Sequence, residues 1–147
     1  MMTTQTEARP ATAWKDMAVG DAIPPLTTPP ISRTTLALFA GGSGDHNPIH
    51  VDLDVAKAAG MNDVFAHGML SMAYLARMLT DWAPQTALRA FSTRFVAITQ
   101  IHDAITCTGT VVEKLERDGE RLVRLDVQTA NAAGEVKLSG QALVALP

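Results

Sequence analysis

The stretch His67–Ala83, "HGMLSMAYLARMLTDWA", is the longest helical pattern in this sequence. Apolar side chains surround it on nearly every side, and the only interruptions are Ser71, Arg77, Thr80 and Asp81. A helix that is apolar almost all round must be covered on almost all sides. We therefore expect the remainder of the chain to wrap around this helix.

The strands needed for such a wrapping follow the helix directly. Alternating polarity and β-branched residues predict four strands, in the segments 88–99, 104–116, 120–130 and 135–146. Asp118-Gly119 is a strong hairpin signal between the second and third strands, and residues 131–134 predict the turn into the fourth. Four successive antiparallel strands and one central helix indicate an α+β fold, in which a curved antiparallel sheet encloses the long helix.

The segments before the long helix predict shorter elements. Four prolines in residues 13–31 favour extended and turning backbone, with an edge strand around Asp21–Leu26. Ser32 is placed to cap a helix that we expect to end at Gly41-Gly42. Residues 52–60 predict another short helix, with Asp at its start and Gly at its end.

Length and composition predict one domain that associates with a second subunit. The chain has 147 residues, which fits a single domain over residues 13–147 preceded by a flexible N-terminal arm over residues 1–12. Apolar residues make up 47% of the chain and charged residues 18%, so part of the apolar surface is expected to meet another copy. We expect a homodimer or a larger homo-oligomer.

Charge and cysteine content restrict the possible partners and the location. A formal net charge of −3 gives no electrostatic case for binding nucleic acid or an anionic membrane. The sequence lacks an apolar run near the ~18 residues that a membrane span requires, and its start lacks the order of a secretory signal. The single cysteine, Cys107, excludes an intramolecular disulfide and fits a reducing compartment. We therefore expect a cytoplasmic protein.

The decapeptide Gly41–His50, "GGSGDHNPIH", contains an unusual density of polar groups. A capped turn would explain Asp45, Asn47 and Pro48, but not the imidazoles. A metal site would use two histidines four residues apart, His46 and His50, although Pro48 between them disfavours the helix that would align them.

A third interpretation of the decapeptide is acid–base chemistry. Asp45 and His50 are five residues apart in a loop that Pro48 stiffens, and they could converge on one water molecule. The carboxylate would accept a hydrogen bond from this water. The imidazole, a group that titrates near neutral pH, would take or deliver a proton.

The segments "SGDHNPIHVDLDVAKAAG" and "AHGMLSMAYLARML" together resemble the MaoC-like, or (R)-specific enoyl-CoA hydratase, family of hotdog-fold proteins. The family motif is Ser/Thr-Gly-Asp-x-Asn-Pro-hydrophobic-His, followed by a small residue about six positions later. The chain supplies this motif with Ser43, Gly44, Asp45, Asn47, Pro48, Ile49, His50 and Ala56. The resemblance covers roughly residues 31–83 and implies the hotdog fold, a long helix wrapped by a curved antiparallel sheet.

The resemblance implies that Asp45 and His50 form the catalytic pair. In the family this pair activates water for syn addition across the 2,3-double bond of an enoyl thioester, and the product is an (R)-3-hydroxyacyl thioester. The reaction also runs backward as a dehydration. Asn47 would help to fix the pair and the water, whereas His46 fills the variable position and is expected to face solvent.

The resemblance also implies that the backbone N–H of Gly68 points at the thioester carbonyl. Physical reasoning agrees, because a helix N-terminus offers unpaired donors and a positive dipole end for a developing enolate oxygen. The alternative is that Gly68 only lets the chain turn into the helix. His67 is expected to order the loop through hydrogen bonds. Neither a metal nor a redox cofactor is implied, because the thioester already acidifies its α-proton.

Three other functions remain possible from the sequence. A 3-hydroxyacyl-carrier-protein dehydratase subunit could pair with a second hotdog subunit that lacks the Asp–His pair. A hotdog thioesterase usually carries an acidic residue on the long helix, but here Asp81 lies at its far end. A non-catalytic acyl-binding subunit tends to lose the pair. The carrier of the thioester, CoA or acyl carrier protein, stays open, as does the acyl shape, because His102 stands where relatives commonly have glycine.

Overall fold

The computed structural model describes residues 12–147, so the predicted arm over residues 1–12 lies outside them except for its last residue. Within this range the chain forms three α-helices, five strands and three short 3₁₀ turns. The helices are α1 Arg33–Ser43, α2 Leu53–Ala58 and α3 Gly68–Trp82. The strands are β1 Leu26–Thr27, β2 Leu88–Phe95, β3 Thr106–Arg117, β4 Glu120–Ala130 and β5 Val136–Ala145. The described residues contain no helix with the length and apolarity that a membrane crossing requires.

The five strands form one antiparallel sheet in the order β1-β3-β4-β5-β2. The predicted hairpin is confirmed, since Asp118 (φ 53°) and Gly119 (φ 79°) join β3 to β4 in the left-handed conformation that such a turn needs. The predicted turn at residues 131–134 joins β4 to β5. Strand β2 is different, because it pairs with β5 at the edge of the sheet and not with β3, the next strand along the chain.

The core lies between α3 and one face of the sheet. Leu75, Met78 and Leu79 are buried on the inner side of α3, among buried strand residues such as Leu125 and Val127. Full burial of one such side chain contributes about 1.5–3 kcal/mol. This packing is the wrapped-helix arrangement that the apolar pattern of residues 67–83 predicts.

One side of α3 is left uncovered by the described chain. Met69 is 54% exposed, and Ala73, one turn further along, is also exposed. The sheet wraps α3 as predicted, but within residues 12–147 this side of the helix stays uncovered. The open side faces a cavity, described below, which leaves room for a ligand or for another subunit.

The helix before the motif ends later than predicted. Ser32 caps α1 as expected, and its Oγ accepts a hydrogen bond from the N–H of Thr35 at 3.1 Å. The helix continues through Gly41 and Gly42 and ends at Gly44, which has φ 76° and donates its N–H to the Ala40 carbonyl. Gly44 is the position where the chain needs the left-handed conformation, so it ends the helix.

The proline-rich segment forms less strand than predicted. Strand β1 begins only at Leu26, and in the predicted range Asp21–Leu26 an isolated bridge joins Ala22 to Thr110. Pro24 and Pro25 lie between these points, and proline has no N–H for a ladder. The helix predicted over residues 52–60 is confirmed as α2, which Asp52 caps.

Candidate active site

The segment Gly44–His50, which we call the site loop, connects α1 to a 3₁₀ turn at Pro48–His50. Hydrogen bonds between residues two positions apart fold it. The Asp45 N–H donates to Ser43 Oγ, the Asn47 N–H to Asp45 Oδ1, and the Ile49 N–H to Asn47 Oδ1, each at 3.2 Å. These bonds are the Asx-type turns that the motif residues favour. The loop is therefore shaped by its own side chains.

His50 is buried, and a main-chain contact fixes its orientation. Its Nδ1 lies 2.8 Å from the Phe65 carbonyl oxygen. A carbonyl only accepts, so Nδ1 carries the hydrogen and Nε2 of the neutral ring keeps the free lone pair. The ring also meets the Phe65 ring edge to face, with centroids 4.9 Å apart. Nε2 is thus the nitrogen that can accept a proton from a substrate or from water.

Asp45 and His50 lie close together in the structure. A carboxylate oxygen of Asp45 and one ring nitrogen each of His50 and His67 all lie within 4.8 Å of one another. Two hydrogen bonds of about 2.8 Å can span such a gap through one water molecule. Asp45 Oδ1 is occupied by the Asn47 N–H, whereas Oδ2 has no hydrogen-bond partner within residues 12–147. The arrangement suits a carboxylate and an imidazole that share one water.

The same three side chains do not suit a metal ion. The His50 and His67 rings are stacked, with centroids 3.9 Å apart and an angle of 29° between their planes. Lone pairs of two nearly parallel rings run side by side, whereas a metal needs ligands that converge on it. His46, the other histidine of the metal interpretation, is exposed in the site loop, as expected from its variable position in the motif.

Gly68 begins α3 next to this cluster. Its N–H has no hydrogen-bond partner in the described part of the chain, as expected for the first residue of a helix. A Cβ at this position would lie 2.8 Å from ring carbons of Phe95, so only glycine lets the aromatic ring pack here. The neighbouring His67 brings this helix end to the site loop, because its Nε2 lies 3.2 Å from the Asp45 carbonyl oxygen.

Two apolar cavities adjoin these residues. The first has a volume of about 500 Å³ and is lined by Phe39, Ser43, Asp45, Met69, Met72, Ala73, Ala76 and Phe91. Asp45 is its only charged lining residue. The second, of about 280 Å³, is lined by Phe65, Ala66, Gly68, Phe95, Val96, Ala97, Ile98 and Thr99. Asp45 thus borders one cavity and Gly68 the other.

A further concavity lies away from these residues. It measures about 740 Å³ on the polar face of the sheet, and it contains none of the predicted site residues.

Cys107 takes no part in the proposed acid–base chemistry. It is buried in β3, and burial raises the pKa of its thiol to about 12. This agrees with the prediction of a packed thiol.

The segment Val96–Asp103, which we call the wall loop, lines the second cavity and is held by distant residues. Thr99 Oγ1 and Ser71 Oγ of α3 share a buried hydrogen bond of 3.0 Å. The ammonium group of Lys137, whose side chain is 1% exposed, donates to the Ile98 carbonyl at 2.8 Å and lies 3.4 Å from Asp103 Oδ2. Sequence reasoning did not identify the wall loop's anchors, because each lies far away along the chain.

His102 in the wall loop has φ 69°, the left-handed conformation that favours glycine. This conformation is consistent with the glycine that the family resemblance implies for this position in relatives. Phe65 is another contributor that the sequence did not reveal. It acts on His50 through its main-chain oxygen, so its side-chain identity carries no signal for that role.

The chain is similar to known proteins over most of its length. The family described as MaoC like domain matches residues 16–133. An (R)-specific enoyl-CoA hydratase of Rhodospirillum rubrum is 34% identical over 119 residues, which are 80% of this chain and 81% of that protein.

Solved structures show the same fold. R-hydratase PhaJ1 from Pseudomonas aeruginosa matches with a TM-score of 0.79 at 30% identity, over 92% of this chain and 85% of that one. A chain of the ChsH1-ChsH2 complex from Mycobacterium tuberculosis matches with a TM-score of 0.74 at 24% identity, over 88% of this chain and 98% of that one, a likeness of fold. The chain belongs to the MaoC-like dehydratase family of hotdog-fold enzymes.

Proposed function

We propose that this chain catalyses the reversible syn hydration of 2-enoyl-CoA thioesters to (R)-3-hydroxyacyl-CoA. The observation that carries the proposal is the approach of the Asp45 carboxylate and the His50 imidazole to within 4.8 Å beside an apolar cavity. The 34% identical relative is named as an enzyme of this activity.

Asp45 and His50 would act together on one water molecule. Asp45 Oδ2 accepts a hydrogen bond from the water and orients it. His50 Nε2 takes a proton while the water oxygen bonds to C3 of the enoyl group, and the imidazolium then returns a proton to C2 on the same face. The net change is the addition of one water. The Asn47 N–H binds Asp45 Oδ1, which leaves Oδ2 available for the water.

Gly68 would stabilise the charge that develops on the thioester oxygen. Its N–H, which has no partner within residues 12–147, is available as a hydrogen-bond donor. The positive end of the α3 dipole adds a favourable electrostatic potential at the same position. Such donors stabilise an enolate more than the ground-state carbonyl, which is what lowers the barrier. The approximately 500 Å³ apolar cavity that Asp45 borders is the proposed location of the acyl chain.

The arrangement favours a hydratase over a hotdog thioesterase. The only carboxylate on α3 is Asp81, which lies near the C-terminal end of the helix and pairs with Arg77 at 3.7 Å. It is exposed and lies outside the cluster of Asp45, His50 and His67. A thioesterase base on the long helix is therefore missing from the place where the thioester would lie.

We also propose that residues 13–147 act as one domain and pair with a second copy along β2. This strand is at the edge of the sheet, so its outer hydrogen-bonding groups are available. Phe95 at its end is 56% exposed, and the neighbouring Val96 and Ile98 are also exposed. A second subunit here would cover apolar surface close to Gly68.

We propose a cytoplasmic location for the protein. The buried free thiol of Cys107 is compatible with it.

An assay with crotonyl-CoA tests the function. We expect loss of the enoyl absorbance without release of free thiol, and a 3-hydroxybutyryl product of R configuration. Free thiol in step with the absorbance change would indicate a thioesterase instead. No reaction with enoyl-CoA or enoyl-carrier-protein substrates of any chain length would overturn the proposal.

A further inference from the structure

His67 joins three parts of the candidate site. It is 1% exposed and immediately precedes Gly68. Its Nε2 lies 3.2 Å from the main-chain oxygen of Asp45, and its ring stacks on the ring of His50. The Phe39 ring meets it edge to face from α1, with centroids 4.9 Å apart. One side chain therefore contacts both members of the acid–base pair and adjoins the helix end.

The contacts of His67 determine which nitrogen carries the hydrogen. The Asp45 carbonyl only accepts, so Nε2 must be the N–H donor. Nδ1 is buried and has no hydrogen-bond partner among residues 12–147. A buried lone pair without a partner is tolerated at lower cost than a buried N–H and a positive charge without an acceptor. The surroundings therefore fit an imidazole that is neutral and has its hydrogen on Nε2.

We propose that His67 is a positioning residue which, as an uncharged imidazole, holds the His50 ring and the Asp45 backbone in their working arrangement. The inference rests on the proposed function for its catalytic meaning. His67 has no part in proton transfer, because Nε2 is bound to a carbonyl and Nδ1 is enclosed. Its role is to fix the distance between the two groups that share the water.

The neutral state matters because of the groups that face His67. The titratable groups that influence it are His50, across the stacked rings, and Asp45, whose carbonyl it binds. Burial, and then the proximity of His50, lower the pKa of His67 below its ordinary value. His50 becomes positively charged when it takes a proton from the water. A second positive ring stacked on it would oppose that step, whereas a neutral ring does not.

Three substitutions separate the contacts of His67. His67→Phe keeps a ring that can stack but loses the donor to Asp45, and His67→Gln keeps a donor but loses the ring. We expect each to lower kcat about 10-fold, and His67→Ala, which loses both contacts, to lower it about 100-fold, with KM changed less than about twofold. His46→Gln is the matched control, because His46 is an exposed histidine of the site loop without a contact to His50 or to the Asp45 carbonyl among those described. Folded variants that all keep near-normal kcat would overturn the proposal.

A second measurement does not depend on activity. Ring ¹⁵N chemical shifts of the unmodified protein report the protonation of each histidine nitrogen. We expect His67 to be neutral with its hydrogen on Nε2 between about pH 7 and pH 8, above the ordinary pKa of a histidine. A charged His67 in this range, or a hydrogen on Nδ1, would overturn the proposal even if the enzyme were inactive on every thioester. Conversely, a neutral Nε2–H ring in a protein without hydratase activity would support this geometry and reject the proposed function.

Discussion

The site loop and the wall loop lie on either side of the start of α3, yet different kinds of contact hold them. The site loop is folded by bonds between residues two positions apart, such as the Asn47 N–H to Asp45 Oδ1. The wall loop is held across distances of 28 residues, from Thr99 to Ser71, and 39 residues, from Ile98 to Lys137. The turns of the first loop are formed by its own side chains, and Phe65 and His67 add two contacts from outside it, whereas the second loop is held mainly by the helix and the sheet around it.

Because the two loops are held differently, we expect them to influence different properties of the protein, the rate of catalysis and the free energy of unfolding. Asp45 is exposed, so exchanging its functional atoms changes little of the buried core. Lys137 is buried and connects β5 to the wall loop, so its removal affects the packing of both. We therefore expect substitutions in the site loop to alter the rate, and substitutions at the anchors of the wall loop to alter mainly the free energy of unfolding.

The largest effect is expected from the acid–base pair. Asp45→Asn keeps the oxygen that accepts the Asn47 N–H, and His50→Asn keeps a donor that can reach the Phe65 carbonyl. Each should lower kcat by about 100-fold to 10,000-fold, because a group in proton transfer or water orientation is lost. Crotonyl-CoA hydration measures the rate, and thermal unfolding checks that the fold is retained. If either variant kept near-normal turnover, the roles of this pair would be wrong.

A smaller effect, mainly on stability, is expected at the anchor of the wall loop. Lys137→Met keeps the apolar length of the side chain but removes the ammonium group that meets the Ile98 carbonyl, Asp103 and Glu135. Removing one partner of a buried ionic network should lower the free energy of unfolding by about 3 kcal/mol. Chemical denaturation measures this. Lys57→Met, at an exposed position of α2, is the control and should stay within about 0.5 kcal/mol of the unchanged protein. Equal stability of the two variants would contradict the role of Lys137 as an anchor.

The smallest effect is expected at His102. Its φ of 69° costs a residue with a Cβ about 1–2 kcal/mol, and glycine adopts it without that cost. Part of the gain is offset by the greater freedom of glycine in the unfolded chain. His102→Gly should therefore raise the free energy of unfolding by about 0.5–1 kcal/mol. His102→Ala is the matched control, since it removes the same imidazole but keeps the strain. A glycine variant no more stable than the alanine variant would show that strain is absent there.

The same distinction explains what could be predicted from the sequence. Motif residues of the site loop bond to residues two positions away, so its turns could be predicted from the local sequence. The nearness of Asp45 to His50 was also predicted, but the contacts with Phe65 and His67 that support it were not. The Asp118-Gly119 hairpin and the Asp52 cap of α2 are equally local. The apolar pattern of α3 and the strand patterns predicted a helix wrapped by an antiparallel sheet, and the family resemblance implied that this is the hotdog fold.

Features that depend on distant residues were either not predicted or, for the end of α1, predicted at the wrong residue. The pairing of β2 with β5 requires a crossover that strand patterns do not encode. The end of α1 depends on where the chain must turn towards the site, so Gly44 and not Gly41-Gly42 takes the left-handed conformation. Lys137 is an ordinary strand residue by sequence, and its burial becomes evident only when the wall loop folds over it.

The contact between Phe95 and Gly68 places the last residue of the edge strand directly against the helix end that would bind the thioester oxygen. A subunit that pairs with the edge strand β2 would restrain the Phe95 ring. The ring would in turn restrain the backbone N–H of Gly68, against which it packs. If a second copy pairs with β2 as proposed above, a subunit separated from it would retain Asp45 and His50 but lose this lateral support. Turnover per subunit is then expected to decline on dilution.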